Sequence, residues 1–253
     1  MSLIKFYKNK KILITGSTGF KGSWLNFILN EFGSDVYGYS LSPKNIKDNF
    51  NLLKLKNKNN IFADVRDYRK LKKFILRVKP EIIFHLSAQS LVKNSYSEPL
   101  KTFSTNIMGV ANILKIISEV NFVKSAIIVT SDKCYKNNEN KNGYSEKDEL
   151  GGLDPYSASK ASAENVFYSF NNSIFSKKQK VIGLASVRAG NVIGGGDWSE
   201  DRIIPDFIKS IIKNNKFFIR SPKAVRPWQH VFDLLNGYLI LGKKLYQNPK
   251  KFN

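Results

Sequence analysis

The chain has 253 residues, 42% of them hydrophobic, which is enough for one large domain or for a main domain with part of a second. Its 41 Lys and Arg against 20 Asp and Glu give a formal charge of +21, but the lysines are scattered among asparagines, as at 8–11, 54–60 and 137–142, and form no single basic face. With no nucleic-acid motif beside that charge, no apolar stretch long enough to span a bilayer and a lone Cys134, the composition argues against a nucleic-acid binder, a membrane-spanning protein and a disulfide scaffold.

The first apolar run, residues 12–14, stops at Thr15-Gly16, too soon for a secretory signal, so a cytoplasmic protein is expected. From there, short apolar runs alternate with amphipathic stretches, the pattern of βαβ units around a parallel sheet. A strand at 11–15 leads through a Gly-rich turn into a helix at 23–32, which Gly33 closes, and strands follow at 35–39 and 60–63. A helix at 68–79 stops at Pro80, a strand spans 81–86, a long helix runs through 100–120 and a strand spans 125–130. Residues 136–153 are polar, contain three glycines and have no period, so they read as a loop. A helix opens after Asp154-Pro155, and a sixth strand spans 181–188. Beyond Asn191 come a Gly-rich loop, a helix at 203–213, a short strand at 217–220 and a helix at 231–246. The expected fold is α/β: a Rossmann-type doubly wound parallel sheet over residues 1–190, with a partial, smaller C-terminal substrate domain over 191–253.

The turn after the first strand reads Gly16-Ser17-Thr18-Gly19-Phe20-Lys21-Gly22. Glycines here permit a tight turn, close approach of the backbone to a pyrophosphate and packing of the helix on the strand, while the helix N-terminus offers N–H groups to the anion. The spacing is GxxGxxG, and its position between strand and helix makes it a candidate dinucleotide site. Asp64-Val65 follows the third strand, where a carboxylate can meet an adenine amino group or cap the next helix, and Leu86-Ser87-Ala88 closes the fourth strand beside the phosphates. The second strand ends in Tyr39-Ser40, with no acidic residue for the ribose 2′-hydroxyl and Lys21 nearby, so NAD and NADP both stay open.

Tyr156 and Lys160 are spaced i, i+4 on a helix and share a face. For Tyr156 to act as a base near neutrality its pKa must fall from about 10 by roughly two to three units, or about 3–4 kcal/mol, which an adjacent ammonium could help to supply. The fifth strand ends at the same rim with Thr130-Ser131-Asp132-Lys133. Together, the glycine turn, the hydroxyl residue after the fifth strand and Tyr156-x-x-x-Lys160 resemble the extended short-chain dehydrogenase/reductase family. More narrowly, GSTGFKGSW at 16–24, TSDKCY at 130–135, GNVIGGGDW at 190–198 and RPWQH at 226–230 are similar to the CDP-glucose 4,6-dehydratase group within it.

That resemblance implies NAD bound by Gly16, Thr18, Gly19, Phe20, Gly22, Asp64, Val65, Leu86, Ser87, Ala88, Tyr156 and Lys160. It implies that Tyr156 removes the C4 hydroxyl proton of a nucleotide-linked hexose, with Lys160 beside it and Thr130 holding the same hydroxyl. Asp132 and Lys133 then serve as acid and base for loss of water across C5–C6. Asn191, Arg202 and Arg226 match positions near sugar and diphosphate, no metal is called for, and a homodimer is implied. Group members run on past residue 253, so the smaller domain is expected to be incomplete. An epimerase or reductase on the same fold, and a fragment that binds dinucleotide without turnover, are the alternatives; the Asp132-Lys133 dyad favours dehydration.

Overall fold

The computed structural model describes residues 1–55, 59–138, 143–179 and 181–252, so the Asn/Lys-rich stretches at 54–60 and 137–142 lie partly outside the described residues. In chain order the elements are α1 (Leu3–Tyr7), β1 (Lys11–Thr15), α2 (Phe20–Glu31), β2 (Asp35–Ser40), α3 (Asn49–Leu52), β3 (Asn60–Phe62), α4 (Tyr68–Val78) and β4 (Ile82–His85). They continue with α5 (Val92–Ser97), α6 (Pro99–Phe103), α7 (Gly109–Glu119), β5 (Ser125–Val129), α8 (Pro155–Phe170) and β6 (Gly183–Val187). The last are β7 (Asn191–Ile193), α9 (Ile203–Ile212), β8 (Trp228–His230), α10 (Val231–Gln247) and α11 (Pro249–Phe252).

Six strands form one parallel sheet in the order β3-β2-β1-β4-β5-β6. This is the order of a doubly wound sheet whose winding reverses between β1 and β4, which opens a crevice at the carboxyl ends of those strands. The central strands are continuous apolar runs because helices cover both faces: every residue of β4 and β5 is buried. On one face, α4, α7 and α8 pack a core around Leu71, Ile113, Ile117 and Ile128; on the other, α1, α2 and α10 pack one around Tyr7, Leu25, Ile127 and Leu239.

Two sequence expectations are corrected here, and the packing of a third segment is placed. The helix expected at 100–120 is α6 and α7 joined by one π-helical turn, Ser104–Met108, and the widened turn sets the buried Asn106 against the rim. The strand expected at 217–220 pairs with nothing among the described residues; its apolar run is exposed at Phe218 and Ile219, while β8 pairs instead with β7 in a two-stranded parallel ladder. Residues 231–247, assigned from sequence to the smaller domain, form α10, which packs on the main sheet through Val231, Leu235, Tyr238 and Leu239. What stands apart from the main sheet is the segment from β7 through α9 to β8. On α9, Phe207, Ile211 and Ile212 are exposed.

The backbone of α2 closely approaches the turn after β1. Gly16 has φ +72°, a left-handed conformation that suits glycine, and a Cβ on Gly22 would lie 2.0 Å from the Gly16 carbonyl oxygen. Gly22→Ala is therefore expected to push α2 off the turn and to lose about 3 kcal/mol of stability. Gly237→Ala, on the outer face of α10 with open space around it, is expected to gain up to about 1 kcal/mol. Urea midpoints that move alike for the two variants would contradict this packing.

Candidate active site

The rim of the crevice is built from the turn after β1, the segments after β4 and β5, and the first turn of α8. Gly19 is the residue before α2, and a Cβ there would meet only the Gly16 carbonyl oxygen at 3.4 Å, so the turn leaves room above Gly19 for a phosphate at the helix N-terminus. Thr18 is tied down by its hydroxyl, 2.7 Å from Ser40 Oγ and 2.8 Å from the Leu41 carbonyl, and Phe20 begins α2. Across the turn, Leu86 donates its N–H to the Thr15 carbonyl and Ser87 to the Thr15 hydroxyl, which brings the half-buried Leu86-Ser87-Ala88 segment alongside. These residues fit a dinucleotide cradle.

Val65 is buried under Gly109, while Asp64 is held in a close ion pair with Arg66, 2.7 Å at the shortest. The Arg66 side chain, bonded to Asp64, holds that carboxyl below its ordinary range. Helix capping, one of the two sequence readings of Asp64, falls elsewhere: Asp67 caps α4 by accepting the Lys70 N–H.

Asp154 starts α8 as its cap, accepting the Ser157 N–H at 2.9 Å, with Pro155 in the first turn. This local choice puts Tyr156 at the rim and Lys160 one turn deeper. Asn106 steadies Tyr156 from behind: its amide group bonds both the N–H and the carbonyl of Gln89, and it donates to Ser159 Oγ, which donates to the Tyr156 carbonyl. Asn106 was not picked out from sequence, because its only signal is a polar residue inside an apolar helix.

The hydroxyl beside Tyr156 is that of Ser131 and not of Thr130. The Thr130 side chain points into the protein, donating to Glu164 and lying 3.1 Å from the Val187 carbonyl, whereas Ser131 is within hydrogen-bond reach of the Tyr156 phenol. Successive side chains of an extended chain face opposite ways, so reading the strand one residue further would have found Ser131. Ser131 also caps a short 3-10 turn, Asp132–Cys134, on which Asp132 and Lys133 are half-buried at the rim. Cys134 is buried beneath it, its thiol pushed up to about 12 by burial.

Electrostatically the site differs from expectation. Burial raises the Tyr156 phenol above its ordinary value, against the pull of Ser131 and of the Arg202 guanidinium, so Arg202 and not Lys160 is the main cation acting on it. Lys160 is 5% exposed and donates to the Val129 carbonyl at 3.3 Å; burial brings its ammonium down to about 7, aided by the cation of Lys21 and opposed by the Glu164 carboxylate. Lys21, half-buried in the first turn of α2, is brought down to about 8 by burial and Arg202, while Asp132 and Asp197 act to raise it. Lys21 thus joins the site, a role its place in the glycine turn did not announce. His85, at the end of β4, is buried and kept neutral, its pKa pushed down to about 3 by burial and then by Lys160, with Nδ1 2.8 Å from the Thr15 hydroxyl.

Of the expected substrate contacts, Arg202 is brought in, paired with Asp197 at 2.9 Å and reaching Ser90 Oγ at 3.4 Å. Asn191 is half-buried at the start of β7. Arg226 is not brought in: it is exposed, and its guanidinium donates to the neighbouring Val225 carbonyl.

The family model for GDP-mannose 4,6 dehydratase matches residues 13–248. A CDP-glucose 4,6-dehydratase of Salmonella typhimurium is 46% identical over 252 residues, covering 98% of this chain and 70% of its own length. A dTDP-D-glucose 4,6-dehydratase of Dictyostelium discoideum is 31% identical, over 93% of this chain and 56% of the relative. Among solved structures, a UDP-N-acetylglucosamine 4-epimerase from Methanobrevibacter ruminantium in complex with UDP-N-acetylmuramic acid superposes with a TM-score of 0.79 at 27% identity, covering 94% of this chain and 74% of that one. Strand order, rim residues and these matches agree, and the chain belongs to the GDP-mannose 4,6 dehydratase family.

Proposed function

We propose that this protein is a lyase that dehydrates a nucleotide-diphosphohexose, converting CDP-glucose to CDP-4-keto-6-deoxyglucose with NAD as a recycled cofactor. The observation that carries the reading is the junction of two sets of groups at one rim: Tyr156 with Ser131 for oxidation at C4, and Asp132 with Lys133 on the adjoining turn for elimination. The match of the relative named CDP-glucose 4,6-dehydratase over nearly the whole chain supports the same substrate class.

The chemistry requires both sets. A C5 proton of a hexose is not acidic until C4 is a carbonyl. The glycine turn at 16–22 and the segment 86–88 would hold NAD, which would supply the hydride acceptor that makes C4 a carbonyl and the hydride that is later returned to C6. Tyr156 takes the C4 hydroxyl proton, with Ser131 holding the same oxygen in place of the originally expected Thr130. Lys133 then removes the C5 proton and Asp132 protonates the departing C6 oxygen. Arg202 lies near enough to act on both Tyr156 and Lys21, and its planar fork suits a diphosphate oxygen pair. Asn191 serves the sugar side. Arg226 would have to move inward to contribute. The reading puts the protein in the cytoplasm, and among the described residues no helix is long and apolar enough to cross a membrane. A second copy is proposed to pair on the helices flanking the site, where Met108 and Tyr168 are exposed.

Three outcomes test this. With CDP-glucose and NAD the protein should form a 4-keto-6-deoxy sugar without net NADH, and Lys133→Met should stall after oxidation, holding bound NADH and losing solvent-deuterium exchange at C5, with overall turnover down by about 10²–10⁴. Near-normal turnover in Lys133→Met would remove the dehydration assignment.

Gly19→Ala should leave the thermal midpoint within about a degree or two and yet weaken NAD binding at least tenfold, because the added methyl projects where a phosphate would lie. Calorimetry giving unchanged affinity would place the cofactor elsewhere.

Lys160 gives a pH signature. Its pKa is about 7 in the folded chain and 10.5 unfolded, so between those values the unfolded chain holds a proton that the native one has released, and this residue's contribution to stability rises with pH. Below about pH 7 the buried charge is present in full and opposes folding by about 5 kcal/mol. Lys160→Met should therefore be more stable than the parent at pH 6, with the advantage shrinking steadily toward pH 10. Denaturant midpoints showing an advantage that grows with pH would contradict it.

A further inference from the structure

Glu164 has no part in the chemistry described above, yet it is one of the most buried charges in the chain, 3% exposed on α8 one turn beyond Lys160. Its carboxylate accepts from three side chains: the Thr130 hydroxyl, the Ser186 hydroxyl at 2.9 Å and the Arg188 guanidinium at 2.8 Å. Arg188 in turn lies over the Tyr135 ring, 4.8 Å from its centroid, and Tyr135 stacks on Tyr144 with ring centroids 5.1 Å apart and planes 12° from parallel.

Thr130 and Tyr135 are the two ends of the segment that carries Ser131, Asp132 and Lys133. One end is held by Glu164 directly, the other through the face of Arg188. Between them the backbone of the segment is tied by the Asp132 N–H, which donates to the Ala189 carbonyl at 3.1 Å, by the Cys134 carbonyl, which accepts from the Gly151 N–H at 2.8 Å, and by a bridge between Tyr135 and Leu150, while Lys133 donates its N–H to Ser131 Oγ and Cys134 and Tyr135 donate theirs within the turn. The carboxylate thus holds the Thr130 end directly and steadies the Tyr135 ring through Arg188.

We propose that Glu164 is the positioning residue of the catalytic turn, clamping residues 130 and 135 so that Asp132 and Lys133 face the hexose; this rests on the dehydratase reading above. A buried carboxylate suits the task because its bonds to charged and neutral donors are short and directional, and because releasing any donor leaves a buried polar group unpaired. A slack of about 1 Å in the turn is enough to remove catalysis on the order of a hundredfold without disturbing substrate contacts made elsewhere.

The test compares Glu164→Gln, Thr130→Val and Thr130→Ser in the full chain loaded with NAD. Expected is a fall in kcat of about 10- to 100-fold for Glu164→Gln and Thr130→Val, with KM for CDP-glucose within about threefold of the parent, and recovery of most of the loss in Thr130→Ser, which restores the hydroxyl. Hydrogen exchange at the Asp132 and Cys134 amides should quicken in Glu164→Gln while β1 and β4 stay protected. A kcat within twofold of the parent, a rise in KM with kcat unchanged, or loosening spread evenly over the sheet overturns the proposal. Should Glu164→Gln fail to fold, the Thr130 pair decides alone. Failure of the dehydratase reading would show separately, as absence of the 4-keto-6-deoxy product from the parent protein, and in that event the exchange comparison still decides the role of Glu164.

Discussion

The Lys160 ammonium has to sit, with its charge available, at a depth where water cannot solvate it, and the neighbourhood of the site is arranged around that requirement. It lies under the rim against the Val129 carbonyl at 3.3 Å, with the neutral His85 near it and the Glu164 carboxylate one helical turn along. The cost is about 5 kcal/mol, comparable with the whole net stability of many domains, so the charge can be kept only where the surrounding packing is dense. That packing comes from β4 and β5, buried along their full length, and from helices on both faces of the sheet. The second cation, Lys21, makes the demand heavier by pushing Lys160 further down, while Asp132 and Asp197 favour the charged form of Lys21 itself and the Glu164 carboxylate favours that of Lys160.

The topology explains why these charges gather in one place. At the reversal between β1 and β4 the connections leave on opposite faces of the sheet, and the carboxyl ends of the strands are left uncovered. Four chain segments far apart in sequence therefore share one rim: the turn at Gly16–Gly22, the segment at 86–89, the turn at 131–134 and the start of α8. Asn106 ties two of them together, linking Gln89 to the Tyr156 carbonyl through Ser159. It reaches both because the π-helical turn in which it sits sets it at the rim, where a regular α-helix would carry the same residue on by 1.5 Å per position.

The sheet was readable from the sequence because fully buried parallel strands are short apolar runs with turn residues at their ends, and β1, β2 and β5 fall within a residue or so of where those runs lie. The glycine turn and the Tyr156/Lys160 spacing were readable for a similar reason: each is a local pattern whose geometry follows from its own residues. What was not readable depends on partners distant in sequence. The apolar face of α10 gives its helical period but not the sheet on which it packs, so the packing of residues 231–247 on the main sheet was not visible in the sequence. Phe217–Arg220 has strand composition but no strand beside it. Arg226 and Arg202 look alike in sequence, and only the pairing of Arg202 with Asp197 separates the inward from the outward one. The depressed Lys21 was beyond reach for the same reason, since its causes are burial in the folded rim and then Arg202, 181 positions away.

The confusion between Thr130 and Ser131 points to how one strand end serves two bodies of chemistry. Where an extended chain leaves the sheet, alternate side chains face opposite ways: Thr130 is turned inward to Glu164, and Ser131 outward to Tyr156. A slip of one residue would exchange them, leaving a β-branched residue at the rim and a smaller hydroxyl against the buried carboxylate, so the register of β5 against β6 has to be held firmly. The ladder from Ser125 to Val129 does this along the strand, and the Thr130 N–H bond to the Val187 carbonyl extends it by one more residue. The Asp132 N–H makes one last bond of this kind, to the Ala189 carbonyl at 3.1 Å, and from there the chain turns and presents Lys133 on the 3-10 turn. In the proposed reaction, oxidation at C4 would use Ser131, Tyr156 and Lys160, which the sheet and α8 hold; elimination would use two more groups at a fixed offset from them, and a short turn capped by Ser131 itself carries Asp132 and Lys133. On that proposal, the hydroxyl assigned to the first step also caps the turn that carries the groups assigned to the second, so one residue fixes the offset between them.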